Sequence, residues 1–182
     1  EEGFMVPMNI SRIKKAIELS SCTDQDIIEC IIPSGSLKGL RPSVEAPMHA
    51  VLDFKYVVHT HDLKVIALTL SDQLFPKLDL ALEGLDWKFV PYIKPGIDLC
   101  RQLQSLKDES DKIFILENHG LVVCSDNLSQ LESTMNDIGR RLGSQLERCH
   151  EKPRDLRKRK VNIEGTGYTL CDDKNINELA VQ

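Results

Sequence analysis

Two runs of apolar residues, Ile113-Phe114-Ile115-Leu116 and Leu121-Val122-Val123-Cys124, are separated only by Glu117-Asn118-His119-Gly120. The runs read as short buried strands, and the segment between them has the turn residues of a tight hairpin. Strand-like and helix-like stretches alternate along the rest of the chain. Ile10 to Leu19 repeats apolar residues at helical spacing behind an Asn9 or Ser11 cap, and Thr23-Asp24 opens a second short helix through Ile27, Ile28 and Ile31, which Pro33-Ser34-Gly35-Ser36 ends. Pro47 at a first-turn position, followed by Met48, Ala50, Val51 and Leu52, predicts a buried helix with Glu45 at its N-terminal edge. Lys55 to His61 is β-branched and aromatic and predicts a strand, after which Asp62 can cap a helix through Val65, Ile66, Leu68 and Leu70. Trp87 to Tyr92 predicts another strand, Ile97 to Leu106 a helix, and Ser125-Asp126-Asn127 starts the longest helix, to about Glu147. This mingling predicts a layered α/β domain with a mixed sheet.

A chain of 182 residues, 41% of them hydrophobic, can build one such core without disulfides or metal staples. We place the domain at residues 1–150 and a linker and tail at 151–182, where Arg154 to Lys160 is basic, Gly165-Thr166-Gly167 is flexible and Tyr168 to Cys171 could add an edge strand. The net charge of −5 argues against a nucleic-acid or anionic-membrane partner, and the basic run reads as a solvated segment. No apolar stretch approaches the ~20 residues needed to cross a bilayer, and Glu1 to Met8 has no signal-peptide character. Six cysteines without a C-x-x-C pair read as reduced thiols, so a cytoplasmic location is expected. Glu1-Glu2-Gly3-Phe4 reads like the middle of a domain, so a segment upstream is also expected.

His59 and His61 carry the sharpest chemical signal. Residues i and i+2 of a strand point to the same face, with Cα atoms roughly 6.5 to 7 Å apart, so two imidazoles can converge on one ion. A catalytic zinc site takes three protein ligands and keeps one position open. His119, in the turn beside Gly120, is the natural third. The plainer alternative is a half-exposed histidine pair with no ion. Glu45 is the candidate acid or base, its carboxylate stabilised by the helix N-terminus, or else it merely caps that helix. Ser43 either contacts phosphate or completes the same cap. His49 is expected to pack as a satisfied helix histidine, His150 to be solvated, and Cys100 and Cys124 to behave as small hydrophobes. The chain has no Walker loop, G-x-G-x-x-G or G-x-S-x-G segment, which removes the usual support for NTPase, dinucleotide and serine-hydrolase readings.

Taken together, Arg41-Pro42-Ser43-Val44-Glu45-Ala46-Pro47-Met48-His49, the strand Tyr56 to His61, Val90-Pro91-Tyr92-Ile93-Lys94-Pro95-Gly96 and Glu117-Asn118-His119-Gly120-Leu121 resemble the class II aldolase/adducin family. The closest resemblance is to its L-fuculose and L-rhamnulose phosphate aldolases, over roughly Ile10 to Leu146. It implies a layered α-β-α fold with a mixed, mainly antiparallel central sheet. It also implies Zn2+ on His59, His61 and His119, Glu45 as both a ligand of the resting metal and the acid/base, and Ser43 against substrate phosphate. The implied reaction is reversible cleavage of a ketose 1-phosphate to dihydroxyacetone phosphate and an aldehyde, in a homotetramer with its sites at subunit junctions.

Two departures bear on that reading. The family's glycine-rich phosphate loops are not found, so either about fifty residues precede this sequence or the phosphate site is gone. Val44 also stands where a second hydroxyl residue is frequent. Within the same family, epimerases, a dehydratase and decarboxylases reuse the three histidines, and the adducin head keeps the fold as an interaction module. The epimerases resemble this segment with aspartate where Glu45 stands, which favours the aldolase.

Overall fold

In the computed structural model the described residues are 5–33, 41–70, 75–108, 110 and 112–147. The expected features of the tail, together with His150 and the residues from Ser34 to Leu40, lie outside them. Eleven elements follow in the order α1 (Ile10–Ile17), α2 (Asp24–Ile28), α3 (Ala46–Val51), β1 (Tyr56–Thr60), α4 (Leu63–Thr69), α5 (Phe75–Ala81), β2 (Lys88–Val90), α6 (Ile97–Leu106), β3 (Ile113–Leu116), β4 (Gly120–Ser125) and α7 (Leu128–Glu147). Local chemistry starts the helices where the sequence places them. The Asn9 side chain accepts from Arg12 N, Thr23 and Asp26 form a reciprocal capping box, and Asp62 accepts from Lys64 N and Val65 N. Helix α5 was not anticipated, and the expected strand from Trp87 to Tyr92 is shorter, since pairing stops at Val90.

The strands order β1-β4-β3-β2 in one sheet. Pairing is antiparallel between β1 and β4 and between β4 and β3, and parallel between β3 and β2, so the sheet is mixed and mainly antiparallel. Strand alternation divides the side chains between two apolar layers. Phe114, Leu116, Val122, Cys124 and Val57 pack with residues of α1, α2, α3 and α6 on one face. Ile113, Ile115, Leu121, Val123 and Val58 pack with α4, α5 and α7 on the other. The result is an α-β-α sandwich. Both β3 and β4 are buried along their whole length, as strands covered on both faces must be.

The same alternation positions chemistry. Val57 lies on the α3 face, so His59, two residues on, belongs to that face, and His61 follows just beyond the strand end. The partner strand β4 begins at Gly120, whose φ of 151° is a conformation that L side chains rarely adopt. A β-carbon there would lie 2.2 Å from Thr60 O and 3.0 Å from His61 Cα. Only glycine allows the hairpin to reach this close to the end of β1. We therefore expect Gly120→Ala to destabilise the protein by about 3 kcal/mol or more, since rigid backbone would have to move. Urea unfolding measures this, and a loss within about 0.5 kcal/mol would show that the two strands can separate freely.

A candidate metal centre at the end of the sheet

Glu45, His59, His61 and His119 converge at one end of the sheet, each offering a ligand atom within 4.8 Å of the others. Glu45 Oε1 lies 2.8 Å from His119 Nε2 and 3.3 Å from His59 Nε2, and Glu45 Oε2 lies 3.9 Å from His61 Nε2. The ring centroids are separated by 4.9 to 5.0 Å, a nearly equilateral triangle. The side chains of His59, His119 and Glu45 are 7%, 10% and 13% exposed, whereas His61 is 63% exposed and opens the cluster to solvent.

Each group arrives by a different local route. His59 is fixed by its other ring nitrogen, because Nδ1 is 3.1 Å from Leu121 O across the sheet. A carbonyl only accepts, so Nδ1 carries the hydrogen and the neutral ring presents a lone pair at Nε2. Glu45 is the N-cap residue of α3, yet its side chain makes no hydrogen bond to the helix. The capping alternative therefore fails, and the carboxylate instead faces the imidazoles. His119 sits in a three-residue turn in which Asn118 has φ of 53° and His119 N donates to Leu116 O at 3.2 Å.

Glu45 Oε1 and His59 Nε2 are both buried and lack any hydrogen-bond partner. Two acceptors held 3.3 Å apart in this way repel one another, and burial makes each unmet acceptor costly, by about 1–3 kcal/mol. A cation bound between them satisfies both. Three imidazole nitrogens and one carboxylate oxygen are a donor set suited to a divalent metal such as zinc, so the residues fit that group. Burial pushes the His59 pKa below its usual value, the Glu45 charge and the Leu121 carbonyl act in the opposite direction, and His119 and His61 add to the lowering. The neutral, ligating form of the ring is thereby favoured.

The other candidates are placed elsewhere. Ser43 is exposed before α3, its Oγ accepting from Glu45 N at 3.2 Å. His49, expected to be packed, keeps part of its side chain exposed on α3, yet burial and the neighbouring His59 lower its pKa while the Val57 backbone opposes the shift, so the ring is partly packed toward β1. Cys22, Cys30, Cys100 and Cys124 are free thiols, and burial pushes the pKa of Cys100 and of Cys124 up to about 12, which makes both inert. Sequence reasoning missed the residues that hold the His119 turn. Tyr92 N donates to Glu117 Oε2 at 2.7 Å, Glu117 N to Val90 O at 3.0 Å, and Asn118 N to Thr69 Oγ1 at 3.0 Å. The available signal for Thr69 was a hydroxyl in the otherwise apolar stretch Ala67-Leu68-Thr69-Leu70. Two shallow depressions, of about 300 and 320 Å³, contain none of the four converging groups. Among the described residues no helix is long and apolar enough to cross a membrane.

The profile of the family described as Class II Aldolase and Adducin N-terminal domain matches residues 13–138. An uncharacterised oxidoreductase of Bacillus subtilis is 27% identical over 121 residues, 63% of this chain and 17% of that protein. A 3-oxo-tetronate 4-phosphate decarboxylase of Haemophilus influenzae is 30% identical over 119 residues, 54% of this chain and 56% of that protein. The chain thus spans about half or less of the length of these curated relatives. The solved N-terminal class II aldolase domain of a conserved protein from Thermoplasma acidophilum superposes with a TM-score of 0.66 at 21% identity, covering 76% of this chain and 65% of that one. It supports the fold.

The lowered His59 pKa has a consequence for acid stability. In the metal-free protein the unfolded chain binds more protons than the folded one between the folded His59 pKa and 6.5. The stability linked to His59 is therefore fully present above 6.5 and is lost as pH falls below it toward the folded value. We expect the urea midpoint to fall more between about pH 8 and about pH 5.5 in the native chain than in His59→Asn. Equal losses would rule out a neutral, buried His59.

Proposed function

This chain belongs to the class II aldolase and adducin N-terminal domain family, and from that premise we propose that it is a zinc-dependent sugar-phosphate aldolase. It is a carbon–carbon lyase that cleaves a ketose 1-phosphate to dihydroxyacetone phosphate and an aldehyde. The observation that carries this reading is the buried Glu45 carboxylate facing three imidazoles, with Oε1 and His59 Nε2 lacking any other partner. His59, His61 and His119 would hold the metal with Glu45. A zinc ion bound there supplies Lewis-acid polarisation of the substrate's carbonyl and hydroxyl oxygens and offsets the charge that develops on bond cleavage.

The protein's own residues supply the proton chemistry and the binding. As a carboxylate, Glu45 takes the proton of the substrate hydroxyl whose carbon becomes the aldehyde. It then returns that proton to the carbon that keeps the bonding pair. Glu45 is mostly buried beside His59 and His119, which limits its contact with water on that side, while His61 leaves the other side open for substrate. Ser43 contacts substrate phosphate: its Oγ already accepts from Glu45 N, which leaves the O–H to donate to a phosphate oxygen. The fourfold assembly belongs to the same reading. His61 and its neighbour Leu63, 79% exposed, leave this edge of the site open to an adjoining subunit.

The 30% identity to the decarboxylase favours one second reading, loss of carbon dioxide from a 3-oxo acid phosphate. That reaction also leaves a bonding pair on carbon, but its substrate carboxylate releases no proton, so Glu45 would first have to take one from solvent and then donate it to that carbon. The substrate therefore separates the two readings and the residue does not.

Purified protein is expected to carry about one zinc per chain by elemental analysis and to lose it in His59→Ala/His61→Ala, because two of the ligands are removed. A native chain that cannot be loaded with any divalent metal would leave an interaction domain without the chemistry. Glu45→Gln is expected to lower kcat by about 100-fold or more. Ketose 1-phosphates should release dihydroxyacetone phosphate; release of carbon dioxide from 3-oxo-tetronate 4-phosphate alone would select the decarboxylase instead.

A further inference from the structure

We propose that Thr69 is a positioning residue that sets where His119 stands. The proposal rests on the metal reading of the Glu45–histidine cluster. Thr69 ends α4 and is 6% exposed, one of the few buried polar side chains among the described residues. Its surroundings are apolar: Val65 and Leu68 on the same helix are fully buried in the layer that α4, α5 and α7 form on the sheet. A hydroxyl in such a place must have both its donor and its acceptor roles met.

The bond directions are fixed by chemistry. Asn118 N–H can only donate, so Thr69 Oγ1, 3.0 Å away, accepts. The hydroxyl hydrogen then goes back to Val65 O at 3.0 Å or Ile66 O at 3.1 Å on the previous turn. Thr69 thus relays the α4 carbonyls to the backbone N–H of the residue immediately before His119. Asn118, at φ of 53°, is the left-handed residue of the turn, and Thr69 is the partner that receives its N–H.

The geometry of α4 makes this bond consequential. The helix begins at Leu63, capped by Asp62, directly after His61, and it finishes at Thr69 against the turn that carries His119. One helix therefore connects two of the three imidazoles, one covalently at its start and the other through a hydroxyl at its end. Glu117 secures the first residue of the turn toward β2, whereas Thr69 secures the central one toward α4. With Thr69 removed, the turn is held from one side only, and the 2.8 Å approach of His119 Nε2 to Glu45 Oε1 loses its support.

The test compares Thr69→Val, which keeps the shape and deletes the hydroxyl, with Thr69→Ser, which keeps the hydroxyl. Zinc affinity is measured by chelator competition well below the melting temperature, in both the native and the His119→Ala background. Thr69→Val should weaken zinc binding about 10-fold or more, the size expected for a residue that orients a ligand. Thr69→Ser should stay within about 3-fold, and Thr69→Val should add no further loss once His119 is absent. The imidazole Cε1–H resonances of the metal-free proteins give a second readout. Thr69→Val should move the His119 signal, and Thr69→Ser should not. Native zinc affinity in Thr69→Val with an unmoved His119 signal would overturn the proposal, even if the melting temperature fell. If the native chain binds no zinc, the metal reading fails, and the His119 resonance alone decides whether Thr69 positions that ring.

Discussion

The approach of Gly120 to the end of β1 is the constraint on which the rest of the structure depends. It brings the β3–β4 hairpin against the strand that carries His59, so that a turn and a strand end, nearly sixty residues apart in sequence, share one corner of the sheet. The antiparallel β1–β4 register fixes which residues meet there. His59 lies opposite Val122 and takes its Nδ1 partner from the neighbouring Leu121 carbonyl, and Thr60 lies opposite Leu121. A one-residue slip would carry every β1 side chain to the other face and move His59 away from α3. Burial of Val57 on one face and Val58 on the other opposes that slip with the whole of both apolar layers.

Electrostatics and packing act in opposite directions at this corner. Two apolar layers drive the chain together, and the corner they create contains a carboxylate and three imidazoles with too few donors among them. Among the described residues, charged groups also pair toward the surface, as in Asp53 with Lys14 and Lys107 and Asp137 with Arg140 and Arg141. Such exposed pairs contribute little to stability. The unpaired acceptors at the site are a different matter, because the surrounding fold holds them in place at a cost that a cation offsets.

Much of this was legible in the sequence because it depends on local chemistry. Caps at Asn9, Thr23 and Asp62, the period-two alternation around His59, and the turn residues from Glu117 to Gly120 each act within a few positions. The convergence of Glu45 with the histidines was inferred from resemblance and residue type, since spacing along the chain says nothing about how α3 meets β1. The Thr69–Asn118 bond spans 49 positions and involves a backbone N–H that carries no sequence identity, so it could not be read in advance. Helix α5 went unseen for a similar reason: its burial of Leu78 and Ala81 exists only because α4 and α7 are beside it.

All four converging groups sit where an element starts, stops or turns: Glu45 before a helix, His59 and His61 at a strand's exit, His119 between two strands. None belongs to either apolar layer. The chemistry is therefore mounted on the rim of a scaffold whose cohesion lies elsewhere, and the two can vary separately. Replacing a rim residue changes what the corner binds while both layers keep their packing. The same sandwich can thus carry a different reaction, or none, without first having to learn to fold again.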